Sequence, residues 1–507
     1  MKRIITIIFA VFSLSAMNAQ EITDALRFSM DKLTGTARFR AMSGAFGAVG
    51  GDLSAINVNP AGSAIFSASQ GTVSLANYNV DNDANFFGTS TNESENTFDL
   101  NQLGTVFVFN ENSGRSDWTR LAFAINYENA SNFDDNIFIA GTNTNNSIDN
   151  YFLNFAEGVP LDLLTLRDGE SINDLYRFLG ENEGFGAQQA LLGFQSFVID
   201  PLNPDDPNNT SYFSNVGNGP VDQEYSFVSN GYNGKFTLNF AAEYQKKLYF
   251  GVNLNVHSID YTQSSFLFET AQNPDSFINA IAFQNTLRTD GEGFSFNLGT
   301  IYKANDFVRL GVSYESPTWY DLRDRLVQSV RTLRTENDVQ ITENVSPNVV
   351  NFFPDYRLKT PGKLTGSLAL IFGNQGLISF DYSYKDYSET EFRPKNDAFF
   401  SAQNRAIDDL LTDTSEFRLG GEYRIENLSL RAGYRYEDSP YKDGKTLGEL
   451  NAYSLGAGYN FGLFRIDLAF DQSSRDAKRQ LFSTGLTDAA NMDITNTNVI
   501  LSLGMNF

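Results

Sequence analysis

Asn498-Val-Ile-Leu-Ser-Leu-Gly-Met-Asn-Phe507 ends the chain in strict alternation. Val499, Leu501, Leu503, Met505 and Phe507 share one face. Asn498, Ser502, Gly504 and Asn506 share the other, where Ile500 is the only apolar side chain. A period of two is the strand period. One face suits lipid and the other suits water. Inside a bilayer every backbone N–H and C=O must be paired, and a closed barrel does this without leaving an edge. For this segment alone, the last strand of a soluble β-sandwich reads as well; the rest of the chain separates the two.

The N-terminus reads as an export leader spanning 1–19. Lys2 and Arg3 precede an apolar run from Ile4 to Leu14, and Met17-Asn18-Ala19 offers a small residue at the cleavage point, so the mature chain is expected to start at Gln20. The chain has no cysteine, which excludes a lipidated cysteine anchor, disulfides and thiolate metal sites. No later stretch of about 18 apolar residues exists to form a membrane helix. An exported chain of this kind either crosses a membrane as a barrel or is soluble.

Composition favours the barrel. Aromatics make up 14%, with 45 Phe and 23 Tyr against 2 Trp. Mean hydropathy is only −0.30, as expected when lipid-facing and lumenal residues alternate. The net charge of −24 argues against nucleic acid or anionic surfaces as partners. No linker composition divides the chain.

Alternating segments recur at 70–79, 101–109, 118–128, 234–245, 248–261, 292–303, 306–316, 362–373, 376–387, 415–425, 427–437, 449–460, 462–473 and 495–507, an even set of fourteen. In Phe236–Tyr244, Phe236, Leu238 and Phe240 are expected outside, and Thr237, Asn239 and Glu243 inside. Leu468 is expected to face lipid and Ala469 the lumen. Short turns such as Gln245-Lys246-Lys247 and Ile425-Glu426-Asn427 alternate with long connections at 80–100, 129–233, 262–291, 317–361, 388–414, 438–448 and 474–494. Short turns belong on the periplasmic side and long loops outside, which puts both termini on the periplasmic side.

Two connections read as helical and apolar: 147–198 and 276–288. Phe152, Phe155, Leu191, Phe194, Phe277 and Ile281 are the candidates for a groove that captures hydrophobic molecules. The alternative is that these helices pack on each other over the barrel mouth. Inward Arg309, Arg418, Arg431, Arg435 and Arg465 could receive a ligand carboxylate. Equally, they could pair with Glu315, Glu416, Glu422, Asp381 and Asp467 to brace the lumen.

Residues 20–69 are Gly- and Ala-rich and lack alternation. A barrel this wide leaves a lumen, and such a segment could fold back and plug it. Gly35-Thr36-Ala37-Arg38, Ala41 to Gly44, Asp52, Ala55 and Asn59-Pro60-Ala61 resemble the N-terminal hatch of the FadL/TodX outer-membrane transporters. That resemblance implies a fourteen-strand antiparallel barrel over 70–507, a hatch over 20–69 that includes Asp52, Asn59, Pro60 and Ala61, helical extracellular loops, and lateral release through a kinked wall strand. It further implies passive transport of hydrophobic small molecules, long-chain fatty acids or aromatic hydrocarbons, by a monomer embedded in outer-membrane lipid.

No catalytic residue, metal ligand set or cofactor is expected. His257 is the only histidine; in His257-Ser258-Ile259-Asp260 a Ser–His–acid site is conceivable, but a polar wall residue is the simpler reading. A general porin, a haem receptor and the barrel subunit of a secretion or adhesion system stand as alternatives.

Overall fold

The computed structural model describes residues 22–111 and 113–507; the leader expected over 1–19 lies outside the described residues. Fourteen antiparallel wall strands close into one ring. They are β1 (Gln70–Phe86), β2 (Thr89–Asn110), β3 (Trp118–Asn132, continuing as Asp135–Asn143), β4 (Val221–Tyr244), β5 (Leu248–Ala271) and β6 (Ile278–Lys303). Next come β7 (Val308–Glu315, continuing as Trp319–Glu336), β8 (Tyr356–Lys359, continuing as Lys363–Ile371), β9 (Gly376–Asp386) and β10 (Asp413–Ile425). The ring is completed by β11 (Leu428–Glu437), β12 (Leu450–Asn460), β13 (Phe464–Gln480) and β14 (Ala489–Asn506). β14 closes on β1 from Gln70↔Asn506 to Asn85↔Asn491.

The alternation of the closing strand becomes two environments. Leu501 and Leu503 are 50% and 46% exposed on the outer face, whereas Ser502 is buried in the lumen. The same holds for Phe236 and Phe240 against Thr237 and Asn239. Among the described residues no helix is long and apolar enough to cross a membrane.

Several connections read as loops are strand. Residues 80–100 extend β1 and β2 into a hairpin that turns at Phe87-Gly88, both with positive φ. The outward side chains of that extension are mostly Asp, Asn, Ser and Thr, while Val80, Ala84 and Phe86 point inward, so the lipid-facing alternation is lost there. β5, β6 and β7 likewise rise beyond the bilayer, and β7 turns back into Val339–Val345. The helix expected at 276–288 is instead the start of β6. A bulge there sets Leu333 opposite Ala280 and Arg334 opposite Ile278. The extra residue converts a two-residue period into the three-residue spacing of Ile278 and Ile281, which imitates a helix.

The connection 147–198 does fold as helices. α1 (Ile22–Ser29), α2 (Ala37–Arg40) and α3 (Ala55–Val58) precede the barrel; α4 (Asp149–Ala156), α5 (Leu161–Leu164), α6 (Ile172–Asn182) and α7 (Phe185–Gln195) form the outer cap. α8 (Ala398–Leu410) occupies the connection after β9, with Asp397 capping it by accepting from Phe399 N and Phe400 N.

Residues 22–66 lie inside the ring. The described chain does not start at the periplasmic end as expected: Ala25, Leu26 and Phe28 of α1 pack with Tyr261, Tyr320, Phe392 and Phe400, which places α1 in the outer half, beneath α8. From there the segment descends to Gln70, beside Phe507.

Candidate functional site

The inner segment is held by wall glycines. Gly251 of β5 and Gly299 of β6 are register partners. A Cβ on Gly251 would stand 2.2 Å from Pro60 C and 2.3 Å from Ala61 N; one on Gly299 would stand 2.1 Å from Asn59 Oδ1. The Asn59-Pro60-Ala61 element therefore sits in a notch that only glycine leaves open. Asn59 Oδ1 accepts from Ala61 N, while its Nδ2 donates to Gly47 O (2.8 Å) and Thr300 O (3.1 Å). Asn239 Nδ2 donates to Pro60 O at 2.9 Å. A second glycine pair, Gly420 and Gly433, receives Met42 and Ser43 in the same way. Asp52 accepts from Thr36 Oγ1 (2.7 Å) and from Ser54 N (3.0 Å), and Thr36 in turn caps α2.

Ion pairs complete the docking. Arg38 Nε donates to Glu422 Oε2 at 3.0 Å, and Arg40 forms a two-pronged pair with Asp471 at 2.8 and 2.9 Å. Although burial opposes its charge, Glu422 and Asp52 hold the Arg38 guanidinium pKa above its ordinary value.

The five inward arginines have protein partners. Arg418 binds Glu416 (2.7 Å); Arg435 binds Glu416 and Glu437; Arg431 bridges Glu422 (2.6 Å) and Asp467 (2.8 Å); Arg465 binds Asp467. Arg309 Nη1 donates to Val49 O at 3.0 Å, and its buried Nε has no partner.

The six apolar candidates come together in the cap. Phe152 and Leu191 are fully buried and Ile281 nearly so, while Phe155, Phe194 and Phe277 pack against them, half-buried. Phe152 lies 5.2 Å from Phe283, whose ring stacks on Phe482. Phe277 and Ile281 approach from the wall side, not from a second loop helix. α7 is tied to the wall by Gln189 Nε2 donating to Gln328 Oε1 (2.7 Å). The cap is thus a packed core. Its open apolar side chains are others: Phe178 on α6, and Val350 and Phe352 beside Asn351, which bonds Tyr176 and Gln188.

Beneath α1 lies a lumenal cavity of about 110 Å³, missed in the sequence because its lining comes from distant strands. Lys363 and Lys385 line it and bind Asp31 at 2.7 and 3.2 Å. Burial alone would raise the Asp31 carboxyl, but these two lysines override it and hold its pKa well below the ordinary value. Lys32 and Lys235 also face the cavity and, among the described residues, form no salt bridge. Lys32 Nζ donates to Asn132 O, and burial lowers its ammonium pKa. His257 contacts Ser295 Oγ at 3.2 Å. Ser258 and Asp260 alternate onto the opposite, outer face, so no Ser–His–acid site forms.

The wall breaks at this height. The segments of β7 and β8 are interrupted at Ser316-Pro317-Thr318 and Thr360-Pro361-Gly362, bonded side by side through Thr360 N to Thr318 O. β3 is interrupted between Asn132 and Asp135. The β2–β3 ladder stops at Gln102↔Glu128, beyond which β3 pairs only with β4. Asn129 Nδ2 donating to Asp99 Oδ2 (2.7 Å) crosses the resulting gap. Inside it, Thr34 Oγ1 and Asn57 bond Glu128, and Gly35 bonds Asn101.

Residues 234–507 match the family model for outer membrane protein transport proteins (OMPP1/FadL/TodX). Outer membrane protein P1 of Haemophilus influenzae is 32% identical over 178 residues, 33% of this chain; the match spans 35% of that relative's length. The crystal structure of a Pseudomonas aeruginosa FadL homologue is similar at 12% identity and a TM-score of 0.53, covering 94% of this chain and 100% of that one. That of the Pseudomonas putida toluene transporter TodX is similar at 16% identity and 0.51, with the same coverage. At such identities the two crystal structures speak for the fold.

Proposed function

Because this chain belongs to the OMPP1/FadL/TodX family of outer-membrane transporters of hydrophobic compounds, we propose that its own cargo is amphipathic: a long-chain fatty acid or a carboxylate of similar shape. The observation that carries this reading is the pair Lys32 and Lys235. Both face the cavity under α1 without a salt-bridge partner among the described residues, while the neighbouring Lys363 and Lys385 are paired with Asp31 and Glu315. A cation that forms no salt bridge beside an open cavity suits an anionic head group. The structural arginines, by contrast, already have partners.

The ligand first meets the cap's open apolar side chains, Phe178, Val350 and Phe352, beside the half-buried Phe155, Phe194 and Phe277. Each CH₂ taken from water contributes about 0.8 kcal/mol. Its head group then engages Lys32 and Lys235. Residues 22–66 act as the plug, and exit runs through the β2–β3 gap once the bonds to Glu128 and Asn101 let go. No energy source of its own is required.

The test is uptake of labelled oleate, with toluene and a small sugar as comparisons, in cells carrying the wild type or Lys32→Met/Lys235→Met. Oleate uptake should fall about tenfold in the variant and toluene uptake should hold. Equal loss of both would remove the head-group role; toluene passage without oleate passage in the wild type favours an aromatic hydrocarbon as cargo; sugar passage alone would make it a porin.

A further inference from the structure

We propose that the outer rim of β6, β7 and β8 docks the phosphate groups of an outer-leaflet glycolipid. Register places Val256, Phe294 and Trp319 side by side on the outer face, 54%, 44% and 41% exposed. They end the apolar band on β5, β6 and β7. Two residues further out, the row becomes Glu292, Asp321, Arg357 and Arg393. Above it come Asp290 with Arg323, then Arg288 with Arg325. A strand rises about 3.3 Å per residue, so the change from apolar to ionic takes about 7 Å.

Six cations here face five carboxylates, with Arg288 paired to Asp260 at 3.2 Å. Asp290 is shared by Arg323 (3.3 Å) and Arg325, and Glu391 by Arg393 and Lys395. Asp321 meets Arg357 only through Nε, at 2.8 Å, and the Arg357 side chain is 72% exposed. Guanidinium edges are therefore left open to a further anion, and their planar fork matches a phosphate. This concentration stands out in a chain with a net charge of −24. Where the apolar band ends on β13, β14 and β1, the outward row is Gln472, Thr497 and Asn79, and Asp81 comes above it. Glu292 and Asp321 stand directly over Phe294 and Trp319, and Arg323, Arg325 and Arg288 follow four to six residues out; cations above lipid-facing aromatics fit a molecule that joins acyl chains to phosphate, and free phosphate would use only the upper half. The inference concerns the outside of the wall and is independent of the cargo.

The experiment titrates the delipidated full-length barrel in detergent with a bisphosphorylated, acylated glucosamine disaccharide, read by native mass spectrometry. Arg323→Glu/Arg357→Glu should weaken binding at least tenfold, and so should removing the lipid's phosphates. Lys246→Glu/Lys247→Glu, at a periplasmic turn, should leave it unchanged. Should the first variant fail to form a heat-modifiable barrel, Arg357→Gln/Arg393→Gln gives the same comparison without charge reversal. Binding by the arginine variant within twofold of wild type, or equal binding of the phosphate-free lipid, overturns the proposal.

Discussion

Gly251→Ala adds a single methyl group to the wall, yet it should undock the inner segment. The new Cβ would lie 2.2 Å from Pro60 C and 2.3 Å from Ala61 N, both backbone atoms that cannot rotate aside. Overpacking of this kind costs about 1–3 kcal/mol. If the segment yields, the bond from Asn239 to Pro60 O and the packing of Asn59 on Gly299 go as well, at about 0.5–1.5 kcal/mol for each hydrogen bond. A loss of about 2–4 kcal/mol shifts a docked–undocked equilibrium by roughly 30- to 1,000-fold. Single-channel recording in planar bilayers should show long openings in Gly251→Ala that are rare in the wild type. Gly366→Ala is the control, because nothing lies within 4 Å of its Cβ position. The barrel itself should survive, as heat-modified gel mobility would show. Identical traces for Gly251→Ala and Gly366→Ala would refute the idea that this notch holds a plug.

Two further outcomes are expected. Leu468→Arg, on the lipid face of β13, should destabilise the folded barrel by about 2–4 kcal/mol near mid-bilayer in equilibrium unfolding from liposomes; a change below 0.5 kcal/mol would contradict the face assignment. The chain has no native cysteine, so Asp99→Cys/Asn129→Cys can lock the β2–β3 gap: oxidation should abolish oleate uptake and reduction restore it, whereas uptake indifferent to oxidation would place the exit elsewhere.

The wall was legible because lipid demands an apolar residue at every second position, and Phe236, Leu468 and Leu501 obey. Legibility stopped where lipid stops. The hairpin over 80–100 turns Asp81, Asp83 and Asn85 outward and its apolar Ala84 and Phe86 inward, and the bulge at the start of β6 disguises a strand as a helix. Ala469 shows another limit: it is buried against Ala37 of α2 and Ala41 just after it, so it rejects Arg for want of room, although its parity is inward. Charges on the inward parity announced a polar lumen, but not which arginine meets which carboxylate. The apolar content of the cap left a capture groove and mutual packing of its helices equally open; Phe152 and Leu191 pack in its interior. Lys32 and Lys235, 203 positions apart in the numbering, carried no shared signal, and neither did the wall glycines, whose purpose appears only once Asn59-Pro60-Ala61 is seen against them.

The bonds of residues 22–66 also set an order of events. Ala37 N donates to Ser502 Oγ across 465 positions, Arg40 reaches Asp471 across 431 and Arg38 reaches Glu422 across 384. Contacts so remote in the chain carry the greatest loop-closure entropy and form late. The first part of the described chain must therefore wait, unanchored on that side, for the last strands to be made. Closing the ring and seating its contents become one terminal step of assembly, and a truncation at the C-terminus would be felt first at the other end of the polypeptide.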